Sequence, residues 1–195
     1  MLHLVICGSA SGKSAFGEKI ANEYYEKIKK IQINEKCESK MFYVATMMSK
    51  DEESLARIKK HQEMRKEKSF DTIECFYDIG VSLQKDDYMS CHNVFLLECM
   101  SNLLANEMYG KDGNIKGSSF EVLRKKTSQY IINPIQKLAK SQDVIVISNE
   151  IFSEGKSSFE ETETYIKILG YINESLLRIA DYGTEVVCSI PVSLK

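Results

Sequence analysis

Near its N-terminus the chain reads Val5-Ile6-Cys7-Gly8-Ser9-Ala10-Ser11-Gly12-Lys13-Ser14, an apolar run that breaks into a loop of small residues and ends in Gly-Lys-Ser. A phosphate-binding loop needs glycines that let backbone N–H groups turn towards an anion, a lysine that reaches the outer phosphates and a hydroxyl for Mg²⁺. The positive end of a following helix adds to the attraction. The stretch therefore predicts a nucleotide-phosphate site over residues 8–14, with Lys13 on the phosphates and Ser14 on Mg²⁺.

The first half of this loop departs from the usual pattern of Gly, four residues and Gly-Lys-Ser/Thr. That pattern requires a glycine at position 7, where the chain has Cys7, and Gly8 comes one place late. Because a side chain stands where glycine normally lets the backbone turn close to the phosphates, we expect Cys7 to weaken the loop. A competing interpretation is a glycine-flanked turn between a strand and a helix, with a surface lysine.

The composition predicts one domain over residues 1–195, because a chain with 43% hydrophobic content can bury one sizeable core and no shift in composition marks a second. The formal net charge is -2 and the pI is near 6.0, with lysines and acidic residues mixed along the chain. This balance argues against a duplex nucleic-acid surface or a polybasic membrane anchor and favours a small-molecule partner. Without a charged leader, a signal sequence or an apolar run long enough to cross a bilayer, we expect a cytoplasmic protein.

The cysteines give no sign of a metal site. Six are present, at positions 7, 37, 75, 91, 99 and 188. They form no Cys-x-x-Cys pair, and no histidine stands at zinc-finger spacing. In a reducing cytosol we expect them to be buried thiols.

Strand and helix patterns alternate along the chain. Apolar runs after the opening strand predict strands at residues 41–45, 72–76, 93–97, 143–148 and 186–190. Helical spacing and capping predict helices at residues 14–30, 49–68, 100–108, 120–138 and 159–180, the fourth of which Pro134 should kink or divide. This alternation predicts an α/β fold with an open, mainly parallel sheet and helices on both faces.

Polar residues follow two of the predicted strands. Glu98 comes directly after the strand at residues 93–97, and Asn149 and Glu150 come after the strand at residues 143–148. Parallel sheets bind ligands at the carboxyl ends of their strands, so we expect these residues near the loop. An acidic residue such as Glu98 is where a P-loop protein places its second Mg²⁺-directing group. The alternative is a strand-end carboxylate that faces water.

Three basic side chains share one face of the predicted helix at residues 49–68. Arg57, His61 and Arg65 follow one another at a spacing of four residues, so their side chains lie one above the other. A polar helix face that carries a histidine is usually just solvated, so on their own these residues do not establish a site.

Short segments spread over nearly the whole chain carry a family resemblance. They are, in chain order, Gly8-Ser9-Ala10-Ser11-Gly12-Lys13-Ser14, Tyr43-Val44-Ala45-Thr46, Arg57-Ile58-Lys59-Lys60-His61 with Arg65, Leu97-Glu98-Cys99, Ser101-Asn102-Leu103-Leu104, Ser148-Asn149-Glu150, Leu169-Gly170-Tyr171-Ile172-Asn173, Ala180-Asp181, and Ile190-Pro191 with Leu194-Lys195. In order and spacing they resemble the bifunctional adenosylcobinamide kinase / adenosylcobinamide-phosphate guanylyltransferase family of cobalamin biosynthesis.

The resemblance implies a P-loop α/β fold that assembles as a homotrimer. It implies an enzyme that phosphorylates the aminopropanol hydroxyl of adenosylcobinamide with ATP or GTP. The same enzyme then transfers GMP from GTP to that phosphate through a guanylylated histidine, giving adenosylcobinamide-GDP. By resemblance His61 is the nucleophile. Arg57 and Arg65, one helical turn on either side of it, could hold phosphate oxygens, so the expected nucleotide ligands are residues 8–14 with Arg57, Arg65 and Glu98. Ser14 and Glu98 would hold Mg²⁺.

The chain departs from the family pattern at several positions, including Phe70, where the family often has tryptophan, and residues 151–155, where it usually has a glycine-rich segment. Three other departures concern the phosphate loop and its acidic partner. Cys7 replaces the first loop glycine, Ala10 stands where the family usually has arginine, and Glu98 stands for the usual aspartate. These departures leave two alternatives open. One is a generic small-molecule P-loop kinase that forms no covalent intermediate, and the other is a nucleotide-binding module with a degenerate loop that has lost catalysis.

Overall fold

A seven-stranded sheet forms the centre of the protein in the computed structural model, which describes residues 1–31, 37–48, 52, 69–152 and 159–195. The strands are β1 (Leu2–Cys7), β2 (Met41–Ala45), β3 (Phe70–Glu74), β4 (Val94–Glu98), β5 (Asp143–Asn149), β6 (Tyr182–Val187) and β7 (Ile190–Ser193). They lie in the order β3-β2-β4-β5-β1-β6-β7. Neighbouring strands are parallel except β6 and β7, which form an antiparallel hairpin. The predicted mainly parallel sheet is confirmed.

Helices cover both faces of this sheet. In the described part of the chain they are α1 (Lys13–Ile31), α2 (Ile79–Ser82), α3 (Asp86–Met89), α4 (Met100–Tyr109), α5 (Phe120–Thr127), α6 (Asn133–Ala139) and α7 (Glu160–Ile179). None of the helices in these ranges is long and apolar enough to cross a membrane.

Successive residues of the central strands point to opposite faces and so build two cores. In β1, Leu2 and Leu4 belong to the core that also contains the buried residues of α7, whereas Val5 belongs to the core beneath α1. Helix α1 lies very close to β5, because a Cβ at Gly17 would come within 2.5 Å of Ile147 Cδ1. The strands are therefore buried on both faces, which is why they read as continuous apolar runs.

Most predicted helices and strands are confirmed with their ends within two residues, but the prediction of one C-terminal strand is wrong. The apolar run at residues 186–190 is divided between β6 and β7. The chain reverses at Cys188 and Ser189, both with positive φ, and neither is the Asn, Asp or Gly that usually signals a turn with two left-handed residues. The strand expected at residues 72–76 is β3, which begins two residues earlier, and α2 and α3 were not predicted. The predicted helix at residues 49–68 lies outside the described residues, apart from Glu52, which is helical.

Pro134 divides a helical segment, as predicted. A π-helical turn at Ser128–Ile132 separates α5 from α6. In it the Asn133 N–H donates to the Ser128 carbonyl five residues earlier. Pro134 follows at the start of α6, where a missing N–H costs least.

The expectation of six buried thiols is wrong for at least three cysteines. Cys37 and Cys91 form a disulfide, and Cys188 is exposed, whereas Cys75 is a buried free thiol. Because β2 and β4 are neighbours in the sheet, the segments that lead into them lie side by side. This adjacency brings the Cα atoms of Cys37 and Cys91 to 5.9 Å, within disulfide range.

His3 is a buried polar side chain in β1. Its Nδ1 lies 3.0 Å from the Tyr24 hydroxyl, and its Nε2 lies 2.9 Å from Thr184 Oγ1. Burial lowers the pKa of His3 to about 4. The ring is therefore neutral at pH 7, with one nitrogen that donates and one that accepts.

We expect acid to destabilise the fold through His3. The unfolded chain takes up a proton near the ordinary histidine pKa of 6.5, whereas the folded ring stays neutral down to about pH 4. The contribution of neutral His3 is complete above the unfolded value and is lost as the pH falls through this window. Urea unfolding at about pH 7 and about pH 5 should show a loss that His3→Gln lacks. The variant His92→Gln, at an exposed histidine, is the control, and equal pH dependence in wild type and His3→Gln would contradict the assignment.

Candidate active site

The loop at residues 8–12 connects β1 directly to α1 at the carboxyl edge of the sheet. Ala10 and Gly12 have left-handed backbones, with φ values of 57° and 90°. The Gly12 carbonyl accepts from the Phe16 N–H at 3.0 Å, so the loop turns straight into the first helical hydrogen bond. The unpaired N–H groups at the start of α1 and the helix dipole make this an anion-binding position.

Lys13 folds over this loop. It is 9% exposed, and its Nζ donates to the Gly8 carbonyl at 2.9 Å. Burying the charged Lys13 ammonium costs free energy, and a neutral carbonyl offsets less of this cost than an anion would. Hydrogen bonds between two charged groups are stronger than those to a neutral acceptor. An anion in the loop would therefore be a better partner for Lys13 than the carbonyl is.

Ser14 and Glu98 meet at the carboxyl edge of the sheet. Ser14 lies in α1, which follows β1, and Glu98 ends β4, on the other side of β5. The Ser14 hydroxyl donates to Glu98 Oε1 at 2.5 Å, and the Tyr43 hydroxyl donates to Glu98 Oε2 at 3.1 Å. Mg²⁺ prefers oxygen ligands and commonly binds through one or two protein groups together with substrate phosphates. The oxygen donors of Ser14 and Glu98 fit this ion. Within the described residues, no group of three or more His, Cys, Asp or Glu side chains could hold a metal.

Thr46 secures the backbone that follows Glu98, and sequence reasoning assigned it no role of its own. Its hydroxyl donates to the Cys99 carbonyl at 2.8 Å and accepts from the Cys99 N–H at 2.7 Å. Burial raises the pKa of the Cys99 thiol, so this residue packs as a neutral thiol. Thr46 carries the same signal as Glu98, a polar group at the end of a buried strand, and that signal could have found it. Tyr43 lies in the middle of β2 and carries no such signal.

Asn149 ends β5 between the loop and Glu98, level with Cys7 of β1. Its Nδ2 donates to Ser101 Oγ at 2.6 Å. Beside it, the buried Ser148 hydroxyl donates to Asn173 Oδ1 at 2.5 Å. The predicted convergence of the loop, Glu98 and Asn149 at one edge of the sheet is therefore observed.

One loop hydroxyl lacks a partner. The Ser11 hydroxyl is buried. It has no hydrogen-bond partner among the described residues. Such a group costs free energy until something satisfies it. A phosphate oxygen bound at this loop could accept from it.

The expected weakening of the loop by Cys7 does not agree with the backbone. Cys7 is the last residue of β1, pairs with β5, and is not among the residues with positive φ. Its carbonyl accepts from the Glu150 N–H at 3.0 Å. The left-handed positions come later in the loop, so position 7 needs no glycine here. Arg57, His61 and Arg65 lie outside the described residues, and their assignment stays a prediction.

A loop of this kind between a strand and a helix, with its lysine, its hydroxyl and an acidic strand end in a mainly parallel sheet, defines an α/β protein of the P-loop NTPase-like class. The sequence profile of the cobinamide kinase / cobinamide phosphate guanyltransferase family matches residues 3–194. The chain belongs to this family of nucleotide-binding transferases, which act on cobinamide in cobalamin biosynthesis.

A solved structure from Pyrococcus horikoshii OT3 aligns with 100% of this chain and 85% of that chain, at 13% sequence identity and a TM-score of 0.45. Among curated proteins the comparison found no match.

We expect Cys7→Gly to leave nucleotide affinity unchanged within about twofold, since position 7 needs no left-handed backbone. The same change should lower the free energy of unfolding by about 0.5–1 kcal/mol, because glycine in a strand loses more conformational freedom. Ala10→Gly is the matched variant. It should stabilise the fold by up to about 1 kcal/mol, because alanine is disfavoured in the left-handed region. Calorimetric titration with GTP and urea unfolding measure both effects, and clearly tighter binding by Cys7→Gly would restore the view that cysteine weakens the loop.

Proposed function

We propose that this chain catalyses both reactions of its family through one nucleotide site. In the first, ATP or GTP phosphorylates the aminopropanol hydroxyl of adenosylcobinamide. In the second, GMP from GTP is transferred to that phosphate, giving adenosylcobinamide-GDP. The observation that carries the proposal is the contact between Ser14 and Glu98 beside Lys13, within a chain that matches the family over residues 3–194.

The kinase reaction needs positioning and charge neutralisation more than it needs covalent chemistry. Lys13 would leave the Gly8 carbonyl for the outer phosphates and would stabilise the charge on the transferred group. Loop N–H groups and the Ser11 hydroxyl would hold the remaining phosphate oxygens. The acceptor hydroxyl attacks the γ-phosphorus and loses its proton to solvent, the bond to the β-phosphate oxygen breaks, and ADP or GDP leaves.

Mg²⁺ belongs to this proposal as the ion that Ser14 and Glu98 would hold. When bound, it neutralises phosphate charge and orients the triphosphate. Tyr43 would keep its hydrogen bond to the second oxygen of Glu98 and so fix the direction in which the carboxylate points. Thr46 would hold the Cys99 backbone that follows.

The guanylyl transfer uses a different phosphorus atom and a covalent step. A neutral imidazole nitrogen of His61 would attack the α-phosphorus of GTP, forming a P–N bond as pyrophosphate leaves. The phosphate of adenosylcobinamide phosphate would then attack the same phosphorus, the P–N bond would break, and His61 would be released. A histidine suits this role because its ordinary pKa of about 6.5 leaves it largely neutral near pH 7. Arg57 and Arg65 would hold the phosphate oxygens.

The proposal includes the partners that the resemblance implies. These are ATP, GTP and the corrinoid acceptor as small-molecule substrates, and two further copies of the chain in a homotrimer. Size-exclusion chromatography with light scattering measures the oligomeric state directly. The cytoplasmic location also stays a prediction.

Labelling with GTP decides between the bifunctional enzyme and the two alternatives. Incubation with α-labelled GTP should give covalently labelled protein, and labelled pyrophosphate should exchange into GTP. A generic P-loop kinase would phosphorylate adenosylcobinamide without either result. A module that has lost catalysis would bind nucleotide and turn nothing over. The premise that Cys7 degrades the loop is not supported by its strand conformation.

Lys13→Ala should impair both reactions by about a hundredfold or more, because one loop holds the triphosphate for each of them. Lys19→Ala is the matched control, since Lys19 is an exposed lysine of the same helix with a single surface ion pair to Glu23. Kinase turnover and self-guanylylation should be measured on the same preparations. A variant that loses kinase activity but labels itself at the wild-type rate would show that there are two separate nucleotide sites.

His61→Asn should abolish covalent labelling by GTP and leave most of the phosphorylation of adenosylcobinamide intact. The wild-type label should be labile in acid and stable in alkali, as a phosphoramidate is and as serine or threonine phosphate esters are not. His92→Asn, at an exposed histidine paired with Asp143, is the control and should label normally. Labelling that persists in His61→Asn, or maps to His3 or His92, would remove His61 from the mechanism.

A further inference from the structure

The hairpin between β6 and β7 contacts the phosphate loop. The Ser189 N–H donates to the Ser11 carbonyl at 2.8 Å. A Cβ at Gly12 would lie 2.6 Å from Ser189 Oγ and 3.2 Å from Ser189 Cα, so a side chain at position 12 would not fit. Gly12, with a φ of 90°, is therefore restricted both by its backbone and by the hairpin. The C-terminal segment, which carries part of the family resemblance, therefore touches the loop at Ser11 and Gly12, directly before Lys13.

The turn of this hairpin has an unusual backbone for its sequence. Cys188 and Ser189 have φ values of 48° and 66°, both in the left-handed region. Turns with two such residues favour asparagine and glycine, because other side chains are disfavoured there. Strained backbone persists where surrounding contacts hold it, and it is concentrated near functional sites. Here the contact is the phosphate loop itself.

The hydrogen bond from Ser189 fixes the direction of one peptide group in the loop. The peptide between Ser11 and Gly12 is trans, since the cis bond found among the described residues is at Glu98–Cys99. In a trans peptide the C=O and the N–H point in opposite directions. Because the Ser11 carbonyl points to the hairpin, the Gly12 N–H must point away from it.

We propose that Ser189 is a positioning residue of the nucleotide site. Its backbone N–H holds the Ser11 carbonyl, and this sets the Gly12 N–H towards the bound phosphates. Neither the hydroxyl of Ser189 nor the thiol of Cys188 is needed for the effect. The inference rests on the proposed function insofar as the loop must bind a triphosphate.

Two substitutions at one position separate the backbone effect from the side chain. Ser189→Val places a β-branched residue in the left-handed region, which such residues avoid, and should displace the turn. Ser189→Gly keeps the N–H, accepts the positive φ and removes the hydroxyl. Inorganic tripolyphosphate is the probe, because it has the phosphates and lacks the base and ribose. GTP is titrated in parallel, at a temperature at which circular dichroism shows every variant to be folded.

Ser189→Val should weaken the binding of tripolyphosphate and of GTP by the same factor, about fivefold, as expected for one misdirected hydrogen bond. Ser189→Gly should bind both within about twofold of wild type. Wild-type affinity in the valine variant would overturn the proposal. Equal losses of affinity in both variants would also overturn it, because they would assign the effect to the Ser189 hydroxyl. A loss of affinity for GTP alone would overturn it as well, because it would assign the effect to contacts with the nucleoside.

If Ser189→Val does not fold, hydrogen exchange of the wild-type protein decides the question. Binding at the loop and closure of the Ser189 hydrogen bond must favour each other if one positions the other. Saturating tripolyphosphate should therefore slow exchange of the Ser189 amide by about threefold or more, and an unchanged rate would overturn the inference. A wild-type protein that binds neither tripolyphosphate nor GTP would overturn the proposed function as well, which distinguishes the two failures.

Discussion

The pairing of β1 with β5 on one side and with β6 on the other is the interaction on which the candidate site depends. It places the loop after β1 between the end of β5 and the turn that follows β6. One strand further on, β4 ends at Glu98, within hydrogen-bond distance of Ser14. Residues separated by most of the chain therefore come together through strand order alone. The carboxyl edge of a parallel sheet is where such segments meet.

The burial of the central strands on both faces also determines where polar chemistry can occur. Along β4 the residues before Glu98 are fully buried in the two cores, so a charged side chain there would lack solvent and partners. At the strand end the carboxylate can accept from Ser14 and Tyr43 instead. Thr46 is also completely buried, and it is tolerated because it both donates to and accepts from the Cys99 backbone.

Local pattern was sufficient to predict much of this arrangement. The apolar runs of β4 and β5 and the helical stripes of α1 and α7 are properties of short windows, and so is the Gly-Lys-Ser end of the loop. The end of β2 marks Thr46 as a candidate, but the partners of Thr46 and Tyr43 could not be predicted in this way, because both contacts depend on β2 lying beside β4. The C-terminal hairpin was missed for a related reason. Its turn at Cys188 and Ser189 contains no Asn, Asp or Gly, the residues that favour left-handed turn positions, and it contacts the phosphate loop.

The disulfide between Cys37 and Cys91 has a consequence for the connectivity of the chain. It closes a covalent ring that contains residues 38–90, and with them β2, β3 and the predicted nucleophile His61. A protease that cut the backbone once inside this ring would leave both pieces joined through sulfur. In the oxidised protein a single nick would therefore leave one covalent molecule, and separating its two pieces would require reduction as well as cleavage.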